Sequence, residues 1–304
     1  MATKVKWFIA VPVATLWTYF DSARDIDKLA ITNPADVDMW LKGLTYENNL
    51  DFYDKNMIQS QVLYGEEVLI LQEKENWVQV VVPSQSTSKD ERGYPGWLPK
   101  EQIVQNENWK INERPIVVLN QPKTILYDDS KQAQLLLSYQ TILPFISRDK
   151  HWIKVQTPIG EGFFKVDEVS VFESLQSLPK GSGEDIVSAG KQFLGLPYLW
   201  GGMSSFGYDC SGFTYSMCKI NGYIIPRDAH DQGSEGFEVP LEDRMPGDLL
   251  FFAYEEGKGS IHHVGIYYGE GKLLHSPYTG KNIEIIELHN TIYEKELCAA
   301  RRYW

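Results

Sequence analysis

Residues 64–83 (YGEEVLILQEKENWVQVVVP) and 139–158 (YQTILPFISRDKHWIKVQTP) align without a gap at an offset of 75. Tyr64 falls on Tyr139, Val68 on Leu143, Trp77 on Trp152, Val80 on Val155 and Pro83 on Pro158. A pattern written twice limits the fold sharply, because the chain must build one supersecondary unit two times over. Upstream, VATLWT at 13–18 matches TILYDD at 124–129 in character. Downstream, GWLPKEQIV at 96–104 matches GFFKVDEVS at 162–170, where the offset has fallen to 66. The first copy therefore carries nine extra residues between its proline and its Gly-aromatic segment.

Each copy reads as a chain of short strands. WVQVVV and WIKVQ alternate apolar and polar residues, as a half-buried sheet face requires. Polar clusters, KEN at 74–76 and RDK at 148–150, mark the turns. About five such strands in roughly 65 residues close most economically into a small barrel. The pattern "G-x-x-V … W-x-x-V … G-W-[LV]" resembles bacterial SH3-like domains. A segment of helical character, ITNPADVDMWLKGL, interrupts the first copy, with Asn33 before Pro34 as its expected cap and Val37, Trp40 and Leu41 at helical spacing.

The first 20 residues carry Lys4 and Lys6 before an apolar run. Pro12 interrupts that run, it is too short to span a membrane, and no small-x-small cleavage site follows. VPVATLW is read as a buried strand. ESLQSLPKGSG at 173–183 reads as a linker, and Ser182 before Glu184 and Asp185 starts a helix with Ile186, Ala189, Gly190, Phe193 and Leu194 as its apolar stripe.

Forty-one acids against 29 bases give a net charge of −12, which argues against a nucleic-acid partner. No stretch is apolar enough for a membrane span. The three cysteines, spaced by 8 and 80 residues, fit neither a disulfide framework nor a structural zinc site. No metal and no cofactor is expected.

The chemistry concentrates after residue 195. GLPYLWGGMSSFGYDCSGF leads into the helical stretch SGFTYSMCKI, so Cys210 is expected at a helix N-terminus. There the dipole would lower the thiol pKa, and free N–H groups could receive an oxyanion. A thiolate nucleophile needs a base, and six histidines are available. His263 and His275 flank two strands around Gly269-Glu270-Gly271, and their numbers average 269. They should meet across a hairpin on one face, one as base and the other holding its tautomer. Cys218 and Cys298 read as packing residues. His262 should point away from His263, and His230 and His151 read as exposed loop residues.

These motifs together, "G-x-P-Y-x-W-G-G … D-C-S-G-F", "P-G-D-L-L-F-F", "H-V-G-I-Y" and a later His, resemble the NlpC/P60 family of cysteine peptidases over about residues 184–304. The three-part layout is similar to the subgroup in which two SH3-like domains precede the peptidase, the γ-D-glutamyl-L-diamino acid endopeptidases of the YkfC type. The resemblance implies an α+β chain: two small SH3-like β-barrels (1–110, with helical and loop insertions, and 111–178) followed by a circularly permuted papain-like domain (179–304). It implies hydrolysis of the bond between D-γ-Glu and a diamino acid, either lysine or meso-diaminopimelate, in murein stem-peptide fragments with a free N-terminal L-Ala. Cys210 would be nucleophile, His263 base and His275 the orienting residue. Tyr198 would add a hydroxyl at the oxyanion side, and Asp209 and Ser211 would line the D-Glu subsite. Asp228 would bind the free amine. The first SH3-like domain would line the cleft, with Tyr94 and Glu66 (or its rival Glu67) as further amine contacts.

Two other readings remain open at this point. One is an amidase or acyltransferase on the same core. The other is a cell-wall-binding hydrolase acting on intact peptidoglycan, against which the acidic charge argues. No obligate protein partner is expected. Recycling of small fragments fits the cytoplasm, or an exported setting if a leader has been removed.

Overall fold

The computed structural model describes residues 6–304; Lys4 of the amino-terminal segment lies outside them. The chain divides into two compact units.

The first unit runs to Ser84 and continues over Arg92–Leu178, with Ser204–Phe206 added. It holds two seven-stranded antiparallel sheets. One orders its strands Ile58–Leu63, Val13–Trp17, Tyr94–Pro99, Trp77–Val82, Glu67–Lys74, Trp7–Ile9, Ile103–Gln105. The other orders them Ala133–Ser138, Lys123–Tyr127, Gly160–Lys165, Trp152–Thr157, Ile142–Arg148, Ile116–Leu119, Val169–Phe172. Numbered within each copy, both orders are 3-2-6-5-4-1-7, so the sequence repeat is a repeat of topology. Among the described residues no ladder joins the two end strands of either sheet. The expected barrels are therefore open sheets in their hydrogen bonding, because the short first and last strands of each copy pair with each other at one edge.

The expected strand VPVATLW is present as Val13–Trp17, buried throughout. The insertion after it forms a 3-10 turn, Asp25–Asp27, and three helices, Lys28–Ile31, Val37–Gly43 and Tyr46–Asp54. The cap of Val37–Gly43 is Asp36, which accepts from Met39 N–H at 3.0 Å, and not Asn33, whose side chain instead donates to Glu101 O at 2.6 Å. Trp40 and Phe52 pack their rings on Trp17 at 6.2 and 6.5 Å, which fastens the insertion to the sheet. Tyr64, from the first copy, is buried among Val117, Leu137, Leu143 and Phe164 of the second.

The second unit comprises Gln85–Glu91, Pro179–Met203 and Gly207–Trp304. Its sheet has six antiparallel strands in the order Phe237–Glu238, Leu297–Arg302, Leu249–Ala253, Ile261–Gly269, Lys272–His275, Glu284–Glu287. The helix expected after the linker is Gly183–Lys191, capped by Ser182 and closed by a reciprocal bond from Asp185. It ends at Lys191, so two residues of the expected stripe lie beyond it: Phe193 is buried all the same, and Leu194 is exposed. In the PGD motif, Asp248 is fully buried and takes a two-pronged bond from Arg302 at 2.7 and 2.6 Å. That fork ties the last strand to the entry of the Leu249–Ala253 strand.

Candidate active site

The helix Cys210–Ile220 begins one residue after its cap, Asp209, whose carboxylate accepts from Gly212 N–H at 2.6 Å. Gly212 must be glycine, since a Cβ there would stand 2.1 Å from Gly202 O. Buried Arg227 donates to the other Asp209 oxygen at 2.6 Å and to Ser211 Oγ at 2.8 Å. Asp209 and Ser211, expected to line the D-Glu subsite, thus turn polar atoms toward Arg227.

Ile261–Gly269 and Lys272–His275 form the hairpin that carries the histidines. Glu270 and Gly271 form its two-residue turn, both at positive φ (52° and 74°), as a type I′ turn requires. This register puts Ile266 opposite Leu274, so continuing it sets His275 opposite Gly265, diagonal to His263 on the same face. The two histidines thus meet across the hairpin on one face, as expected, with a diagonal offset. Gly265 makes the diagonal workable. A Cβ there would lie 2.9 Å from His275 Cβ, and its absence lets the two rings meet. His263 Nε2 and His275 Nδ1 are 2.9 Å apart, and both residues are buried. Tyr293 packs on both imidazoles, at 5.2 Å from His263 and edge-on at 4.9 Å from His275.

Burial governs the charges. It pushes the Cys210 thiol up to about 12, with Asp209 adding to the rise, while the Val264 and Ser211 N–H groups and Arg227 work the other way. The helix N-terminus was expected to lower this thiol; desolvation of a fully enclosed sulfur outweighs it. Burial likewise holds His263 well below its ordinary value, helped by the imidazoles of His275 and His262, and brings His275 down to about 3. Burial thus works against a charge on the thiol and on either imidazole.

Segment Gln85–Glu91 lies within the extra residues of the first copy, and it belongs with this unit. Ser86 O accepts from Arg227 N–H at 2.9 Å, and Ser88 N–H donates to Asp231 at 2.9 Å. Lys89 pairs with Asp228 at 3.0 Å, and Arg227 stands 3.6 Å from the same carboxylate. Asp228, the expected amine anchor, thus faces two cations of the chain itself. Tyr198 is buried, with its N–H bonded to Lys281 O at 2.9 Å and a parallel bridge to Tyr208. Tyr94 and Glu66 belong to the first unit: Tyr94 is buried at a strand start, and Glu66 accepts from Leu63 N–H at 3.0 Å. Its rival Glu67 pairs with Lys6 at 3.1 Å.

The remaining candidates sort cleanly. Cys218 is a core residue, its thiol pushed up to about 12 by burial alone, and Cys298 donates to Phe251 O at 3.3 Å. His262 is the extra residue of a bulge, where the register shifts between Phe252 and Ala253; its ring stacks on Tyr254 at 4.1 Å and pairs with Glu296 at 3.1 Å. His230 and His151 are exposed. Arg227, Lys89, Gly265 and Tyr293 were not singled out from sequence. Gly265 was available inside the H-V-G motif; the other three reach the site through contacts no local pattern records.

Comparison with known proteins identifies the family. Residues 195–302 match the NlpC/P60 family, and residues 119–172 match the YKFC SH3b2 domain. The chain is 51% identical over 291 residues to a γ-D-glutamyl-L-lysine dipeptidyl-peptidase of Bacillus subtilis, covering 95% of this chain and 96% of that one. It is 42% identical to the protein of the same name from Bacillus cereus, covering 98% and 91%. A solved structure of an NlpC/P60 family protein from Bacillus cereus superposes with a TM-score of 0.95 at 40% identity, covering 98% and 99%. With relatives matched along nearly their whole length and a helix-borne cysteine beside two bonded histidines, the chain belongs to the NlpC/P60 family of cysteine peptidases.

Proposed function

We propose that the chain cleaves the amide between γ-D-Glu and the diamino acid in murein stem-peptide fragments that start with a free L-Ala. The relatives matched along their full length are both named for a γ-D-glutamyl-L-lysine bond, whereas a murein DD-endopeptidase of Escherichia coli matches over only 36% of this chain. The observation that carries the chemistry is the 2.9 Å bond between His263 Nε2 and His275 Nδ1. It commits one nitrogen of His263 and leaves Nδ1 as the acceptor for the Cys210 proton.

Neither charge is stable alone in this burial, so thiolate and imidazolium form together, as the proton moves from sulfur to His263 Nδ1. The Val264 and Ser211 N–H groups face the sulfur and favour its anion. The thiolate adds to the γ-carbonyl carbon. The resulting oxyanion is held at the helix N-terminus, with the Tyr198 hydroxyl at its side. On collapse the C–N bond breaks, and His263 returns its proton to the departing amine. Water then gives a proton to His263 and attacks the thioester, and the dipeptide leaves as Cys210 regains its hydrogen. Asp228 supplies the counter-charge for the L-Ala ammonium. A chain this acidic meets small amine-bearing fragments more readily than an anionic wall, which supports a recycling role in the cytoplasm.

Mass spectrometry of the products from L-Ala-γ-D-Glu-L-Lys tests the reading. Wild-type protein is expected to release L-Ala-D-Glu, and Cys210→Ala to release none. No product from wild type, or full turnover by Cys210→Ala, overturns it.

A further inference from the structure

The His263–His275 bond has a direction that the proposed chemistry fixes. A base at His263 Nδ1 must be unprotonated there, so the neutral ring carries its hydrogen on Nε2. Nε2–H then donates to His275 Nδ1, and His275 in turn must carry its own hydrogen on Nε2. In the opposite orientation His263 Nδ1 would hold a hydrogen and could take none from Cys210. His275 is fully buried, and among the described residues no group lies within hydrogen-bond distance of its Nε2. A buried N–H left in that state is costly, since it has lost water and gained no acceptor. It also leaves the tautomer on which His263 depends without a partner to select it.

The group placed to select it is Glu284. In the sheet, Glu284 is the cross-strand partner of His275 on the Glu284–Glu287 strand. Its Oε1 stands 3.9 Å from His275 Nε2. Nearly half of its side chain is exposed, so it has room to close the remaining ångström by a change of rotamer. Its charge is also felt by Tyr293, the ring that packs on both histidines.

We infer that Glu284 is a fourth member of the array, a positioning residue that accepts the His275 Nε2–H and aligns the chain Cys210–His263–His275–Glu284. The inference rests on the reading of Cys210 and His263 given above. No proton passes to Glu284. Its carboxylate fixes the His275 tautomer and favours the cation that forms on His263 during attack, much as a buried acid does for the histidine of a serine protease triad. Because the effect falls on the chemical step and Glu284 touches no substrate atom, it should appear in kcat and not in KM.

The test is a series at one position, with the L-Ala-γ-D-Glu-L-Lys tripeptide as substrate. Glu284→Ala is expected to lower kcat about tenfold or more, ~1.4 kcal/mol of barrier, with KM and Tm nearly unchanged. Glu284→Gln keeps an acceptor oxygen without the charge and should recover part of that loss. Unchanged kcat in Glu284→Ala overturns the assignment. So does a loss that is equal in Ala and Gln and accompanied by a fall in Tm, which marks a packing role. Cys210→Ala is run beside them: if it still turns over, the reading of the site fails, whereas a silent Glu284→Ala with dead Cys210→Ala fails Glu284 alone.

Discussion

Gly265 shows how much one missing methyl group decides. A Cβ added there would stand 2.7 Å from Leu273 Cδ1 and 2.9 Å from His275 Cβ. Gly265→Ala is expected to push the His275 ring off its partner and to cut kcat at least tenfold, while substrate KM holds. Steady-state kinetics beside a thermal melt check this; full kcat with an intact fold would show that the diagonal pair does not depend on this position. The proposed nucleophile and both histidines of the candidate site were legible in the sequence because their residue types and the hairpin between them are local signals. Their diagonal offset was not, since it depends on which two residues of Gly269-Glu270-Gly271 make the turn. The upward push of burial on the Cys210 thiol was not legible either, because burial depends on everything that packs around the sulfur.

Among the elements, segment Gln85–Glu91 has the clearest consequence for binding. It brings Lys89 onto Asp228, the carboxylate proposed for the substrate amine. An incoming L-Ala ammonium must displace that internal cation. A partly exposed pair of this kind is worth about 0.2–1 kcal/mol, so Lys89→Ala should lower KM for the free tripeptide by a factor between about 1.4 and 5. The same tripeptide acetylated at its N-terminus carries no ammonium and should be unaffected. A raised KM for the free peptide would instead mean that Lys89 holds substrate. The strands inside each copy were legible from alternation. The outer ones, Ile116–Leu119 for instance, are buried on both faces and show no alternation to read, which is why about five were expected and seven are present. Likewise Asp36 took the cap because the helix starts at Val37, three residues after Pro34.

The two units of the molecule are not continuous in sequence. The peptidase unit is completed by seven residues that precede it, and the first unit takes back Ser204–Phe206, where Ser204 Oγ donates to Gln61 at 2.9 Å. Nothing in a local pattern announces such an exchange; the nine-residue difference between the copies marked only where it occurs. A fragment of residues 179–304 would leave Arg227 N–H and the Asp231 carboxylate without their partners on Ser86 and Ser88. Each buried polar group stranded in this way costs about 1–3 kcal/mol. Its urea midpoint should therefore fall below that of the same unit in the full chain, and equal midpoints would refute the dependence.

The same exchange sets an order in time. Gln85–Glu91 leaves the ribosome before any other part of the unit it completes. At about 5–20 residues per second, the stretch between Glu91 and Pro179 takes on the order of ten seconds to follow. During that interval the segment is a loop in search of a partner, held only by the sheet it interrupts. The repeat is complete in sequence before the rest of that unit is made, so the early strip of the second unit waits on the strands that flank it.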